Sequence, residues 1–388
     1  QTNTGLGDLT LTAGTLTTND GSNRMLTVTG DVTITGGGLL CNSSTVSVNS
    51  FTISSGGTLS APDASGSLTL NGTKNAWSFQ NNSTNFSHNN GTITQTNAGH
   101  IKSVSSNPMY NFIMNSGSSD SHEAVFRPSS GTDCVIAAND VTVTRGIVKL
   151  NTVSNNASMG SLTIGSTGTF QASSGTTTIT NEAGSGYAIE VSGTYTHNSG
   201  TLKITTDANT LVKILDDVNH LIIEAATATR VYEWVNNTTV QGNLTINAGR
   251  FAHYSPNFSL DVQGDCTINN TGILDGGSGS IELGGIKLAS GSEYRATTGT
   301  TTITNRITGE SHLWKNDGGT FSHNNGTVKF NDNDHSAVKE NTFYNVEVES
   351  NLGDYAVSFE AQGGGGNAFT ILGNLTITRG DFELVNAD

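Results

Sequence analysis

The chain has 388 residues, of which 34% are apolar, 13% charged and 6% aromatic, with 47 glycines, 4 prolines and a formal net charge of −15. Its 17 lysines and arginines are spread thinly, which excludes a nucleic-acid partner, because a phosphate backbone is held by clustered cations. No apolar run reaches membrane-spanning length, which argues against membrane insertion, and the regular alternation of Val, Ile, Leu and Thr excludes disorder.

In chain order, one unit keeps returning. Gly7 begins G-D-L-T-L-T, Gly30 begins G-D-V-T-I-T, Asn139 begins N-D-V-T-V-T, Gly242 begins G-N-L-T-I-N and Gly373 begins G-N-L-T-I-T. Each reads as a short strand closed by a Gly or Asn corner. Taking the middle residue of each apolar-x-apolar triplet as a marker, residues 30–138 form a first module (Thr33, Thr52, Thr69, Thr94, Ile113) and 139–241 a second (Thr142, Thr163, Thr178, Lys203, Ile222). Residues 242–372 form a third with one extra marker (Thr245, Thr267, Glu282, Thr302, Lys329, Glu347). Residues 1–29 are the end of a preceding module, and 373–388 start a further one at Thr376.

Marker steps of 15 to 29 residues predict an all-β chain wound as one continuous, right-handed parallel β-solenoid over 1–388, with about 18 coils in three full modules of 5–6 coils. A β-sandwich could not gain one strand in mid-core without re-pairing its sheets, whereas a solenoid adds a coil freely. Neither terminus carries a recognisable cap. The start at Gln1 and the uncapped ends predict a mature product or excised piece, with further coils or a neighbouring subunit at each end, and hence self-association by end-to-end stacking or as a homo-oligomeric fibre.

The tightest sub-motif is Phe86-Ser-His88-Asn-Asn-Gly91, Tyr195-Thr-His197-Asn-Ser-Gly200 and Phe321-Ser-His323-Asn-Asn-Gly326. Recurring histidines invite a metal, but at about 4.8 Å per coil His88 and His197 stand roughly 24 Å apart, so a repeated structural turn is the better reading. Asp332-Asn333-Asp334 with His335, and Asp216-Asp217 with His220 and Glu224, are the densest acidic clusters; neither recurs between modules nor has calcium-loop spacing, and both read as solvated turns. Cys41, Cys134 and Cys266 form no metal or disulfide spacing, and Cys266 replaces an inward Val or Leu. The outward Thr rank raises an ice-binding surface, but Lys203, Glu282, Lys329 and Glu347 interrupt it. Gly363 to Gly366 reads as a flexible corner. No catalytic, cofactor-binding or metal residue emerges. The aromatics placed on variable loops, Trp77, Trp234 and Trp314, are candidate ligand contacts for a cell-surface glycan or receptor.

The run G-N-L-T-I-T-x-G-x-F-x-L at Gly373, with T-F-S-H-N-N-G-T-V-K-F-N at Thr320 and T-F-Y-N-V-E-V at Thr342, resembles the β-solenoid repeats of secreted bacterial adhesins and viral fibre proteins. That resemblance implies an extracellular, cell-surface or virion location and offers no catalytic residue to carry over. Three functions follow as expectations: a structural shaft, a carbohydrate- or receptor-binding solenoid, or a polysaccharide-cleaving β-helix. The third would need a carboxylate pair in a groove.

Overall fold

The structure, a computed structural model, describes residues 5–18, 24–72, 77–102, 106–117, 119–128, 133–150, 154–254, 258–332, 334–340, 342–350, 356–360 and 369–385. The corner at Gly363 to Gly366 lies outside them. Among the described residues every regular element is a β-strand, and the strands pair in parallel as a β-solenoid. No helix is long and apolar enough to cross a membrane. The chain forms two compact units, Gln1–Gly200 and Thr201–Asp388, whose boundary falls inside the second sequence module.

Alternation makes the strands. In Leu244–His253 the side chains of Leu244 and Ile246 are fully buried while Thr245 between them is half-exposed, as a pleat with one face on the core requires. Successive turns then stack these inward residues into columns. In unit Gln1–Gly200 one column runs Val28, Val48, Leu70, Gln95, Met114, Val143, Ile164 and Val191. A second runs Phe79, Ile101, Phe126 and Leu150, and a third begins Leu16, Leu39, Leu59 and Phe86. Three columns per turn mean three faces. Each fully buried aliphatic or aromatic side chain contributes about 1.5–3 kcal/mol through its own burial, and each rung adds backbone hydrogen bonds to the next.

Unit Thr201–Asp388 repeats this plan. Its columns are Leu202, Leu221, Leu244, Cys266, Ile286, Trp314, Val338 and Phe359; Tyr232, Phe251, Leu274, Tyr294 and Phe321; and Val240, Val262, Leu283, Ile303, Phe330 and Val348. Cys266 is fully buried between Leu244 and Ile286. Cys41 and Cys134 are buried and free as well, and loss of hydration pushes both thiols up to about 12, with Cys266 driven upward for the same reason. All three are packing residues without thiolate reactivity.

The marker positions need one correction. Most are true neighbours: Thr33 pairs with Thr52, Thr142 with Thr163, Thr245 with Thr267, and Glu282 with Thr302. At the three shortest steps the pairing breaks. Thr52 stands against Gln80 while Thr69 stands against Ser47; Thr163 pairs with Glu190 while Thr178 pairs with Ser158; Thr267 pairs with Lys287 while Glu282 pairs with Asp261. Those steps are too short for a full three-faced circuit, so the chain there moves on by two faces rather than a whole turn. Each short step falls one face short of a circuit, so one coil per marker overcounts, and the stacked strands make about 15 turns.

Candidate functional site

The three tryptophans occupy two different environments. Trp234 and Trp314 are fully buried, so neither can contact a ligand on a loop, and their candidacy is withdrawn. Trp234 lies against Phe251, with ring centroids 4.7 Å apart, and Trp314 is ringed by Tyr294, Phe321, Phe330 and Phe343 at 4.7 to 6.5 Å. Both belong to strands, Val231–Trp234 and His312–Asp317, rather than to loops. The indole Nε1 of each is buried without a hydrogen-bond partner, so these rings are held by packing alone.

Trp77 is different. It opens the strand Trp77–Asn81, is half-exposed, and pairs with His100 on the next rung. The His100 ring meets it edge-on at 5.5 Å, and the Arg127 guanidinium lies over it at 5.9 Å. Arg127 also lies 3.0 Å from His100 through Nη2 and Nε2, while its own Nε is buried without a partner. Burial, then the neighbouring guanidinium, hold the His100 pKa below its ordinary value, so the ring stays neutral and its Nε2 can accept from Arg127. Lys102, two residues on from His100, donates to the Asn82 side-chain carbonyl at 2.7 Å.

The repeated turn is built identically three times. His88, His197 and His323 each accept a backbone N–H two residues on, through Nδ1, at 3.0, 2.9 and 3.1 Å. Asn89, Asn198 and Asn324 adopt φ of 49°, 48° and 49° and donate to the carbonyls of Ala61, Ala172 and Ala296 on the preceding turn. The chain then closes with Gly91, Gly200 and Gly326 donating back to the histidine carbonyl. His88 and His323 stack on Tyr110 and Tyr344. The histidine is a corner post, using its ring nitrogen where a backbone carbonyl would otherwise be needed.

The acidic clusters are likewise occupied by the protein itself. Asp332 is buried and accepts from Ser336, Asp334 pairs with Arg306, and His335 accepts from the Ala356 N–H at 3.2 Å. Asp217 accepts from Gln241, His220 from the Asn243 N–H, and Glu224 binds Lys203 and Asn247. Asn333 lies outside the described residues. Among the described residues no group of three or more His, Cys, Asp or Glu is placed to hold a metal ion. A shallow groove of about 330 Å³ is floored by Gly36, Gly37 and Gly38 and carries no ionisable group.

Above Thr245 and Thr267 the outward rank continues as a ladder of charges that sequence reading missed. Lys287, Lys315 and Lys339 sit in register on successive turns, with Glu310 bridging the first two at 2.8 and 2.7 Å and Asp317 the last two at 3.8 and 3.2 Å. Hydrogen bonds from Lys287, then Lys315, lower the Glu310 pKa from 4.5 to about 2. A folded pKa below the unfolded one contributes stability that is complete above about pH 4.5 and disappears as the pH falls through about 2. Glu310→Gln is expected to flatten the stability profile in that window and to leave more of the slope intact at high salt; chemical denaturation at stepped pH measures it, and an unchanged slope at low salt would refute the bridge.

No protein family, curated protein or solved structure compared with this chain matches it.

Proposed function

We propose that the protein is a structural shaft, part of an extracellular filament, a surface adhesin or a phage fibre, with no catalytic task of its own. The observation that carries this reading is the continuity of the buried columns: within each unit, turn after turn places an apolar residue directly on the one before. Stability in such a stack comes from nearest-neighbour contacts, so length costs little, which is what a spacer requires.

Self-association through the last described coil belongs to the same proposal. On Leu375–Arg379 and Asp381–Val385 the side chains of Leu375, Ile377 and Leu384 are exposed at positions that earlier turns bury. The expected occupant is a further coil of the same repeat, from the same chain or from a second copy, because like coils already stack on each other inside the chain: the Gly242 coil lies on the Cys266 coil with Thr245 against Thr267. An exposed parallel edge with apolar side chains is a pairing template. Ile377→Asp is expected to reduce end-to-end assemblies seen by negative-stain microscopy and sedimentation. Compact particles for the native chain would overturn the shaft reading, and unaltered assembly in the variant would overturn this coil as the contact.

A further inference from the structure

We propose that the outer face of unit Gln1–Gly200 carries a binding site for a carboxylated sugar, made by Trp77 and Arg127 and held in shape by His100. This inference is independent of the shaft reading. It starts from a charge anomaly. The chain as a whole carries −15, yet in the stacked segments 99–102, 123–127 and 147–150, which carry Lys102, Arg127 and Lys149, the one acid is Glu123, which Lys149 already holds at 2.7 Å. Lys102 is bound by a neutral amide, not neutralised. Arg127 forms no ion pair among the described residues, and its Nε has already lost water without gaining a partner. Nε is closed to a ligand as it is to water, so a carboxylate is expected at the Nη1 and Nη2 end of the fork, where the guanidinium has no acid partner among the described residues.

Geometry supplies the rest. Trp77 is the one tryptophan of the three whose ring reaches solvent. Its exposure has a local cause: the ladder slips between His100 and Ile101, so Ser78 and Phe79 both turn inward and Trp77 is left outside. The Arg127 guanidinium lies over one face of the indole at 5.9 Å, so a pyranose would pack against the remaining exposed part of the ring, next to that cation. His100 accepts from Arg127 and abuts Trp77, which fixes the angle between platform and charge. Two loosely held cations on one small patch suit a single anionic ring and not a run of phosphates.

Isothermal titration of the full chain with an oligogalacturonate, its methyl ester and sialyllactose tests the site. At least one carboxylated probe is expected to bind, with the ester of oligogalacturonate weaker by tenfold or more, about the loss of one charge-assisted pair. Trp77→Ala and Arg127→Gln are each expected to weaken binding about tenfold or more, while Trp77→Phe keeps most of it. Circular dichroism checks that the variants fold, and the acid–ester comparison uses the unaltered chain and so needs no variant. Failure of both carboxylated probes to bind, equal binding of the ester, or full affinity in either of the first two variants would overturn the proposal.

Discussion

Replacing Trp314 with alanine is expected to destabilise the protein by about 3–5 kcal/mol, the range for removing a large aromatic from a packed core. The side chain is fully buried and its ring centroid lies within 6.5 Å of those of Tyr294, Phe321, Phe330 and Phe343, residues on other strands of the stack that cannot close in without breaking register. The void therefore persists. Trp314→Phe is expected to cost much less, since it retains most contacts and removes an indole N–H that has no partner. Trp77→Ala, on a half-exposed ring, is expected to cost under about 1 kcal/mol. Denaturant unfolding followed by tryptophan fluorescence and by circular dichroism measures all three, and a loss at Trp314 no larger than at Trp77 would contradict the packing described.

The second large effect is expected at Gly326. A Cβ there would be driven into the carbonyl of Thr297 on the preceding turn, and the same collision awaits at Gly91 with Pro62 and at Gly200 with Ser173. The obstacle in each case is backbone, which cannot rotate away as a side chain can. Gly326→Ala is therefore expected to cost about 3 kcal/mol, at the upper end of overpacking effects. Gly184→Ala, with open space around the added carbon, is expected to be neutral or slightly stabilising through reduced freedom of the unfolded chain. Equal melting temperatures for the two variants would show that the turns do not press on their neighbours.

Strands and corners were legible because both rest on local chemistry. L-T-I-T alternates whatever lies above it, and Asn-Asn-Gly supplies positive φ wherever it occurs. Which face a strand occupies was not legible: all three faces use the same apolar-x-apolar triplet, so Thr69 reads like Thr52 although they sit in different columns. Trp234 could have been placed from sequence, since V-Y-E-W alternates and puts Tyr232 and Trp234 on the same side. Trp77 and Trp314 could not. Each follows or precedes a slip in the ladder that puts two successive residues inward, Ser78 with Phe79 and Leu313 with Trp314, and such slips depend on the neighbouring rung. The salt-bridge ladder escaped for a related reason, because Lys287, Lys315 and Lys339 become neighbours only once the register is known.

The short steps bear on valency. Within unit Gln1–Gly200, Phe86 stacks beneath Leu59 while its sequence counterpart Tyr195 stacks beneath Phe170, on a different face. Duplicating a module thus copies its decorations onto another side of the prism, and His88 and His197 look out in separate directions. A flat partner lying on this unit, such as a crystal plane or a sheet of cellulose-like chains, meets only one of these two histidine turns. A thread winding around the stack could meet each in turn.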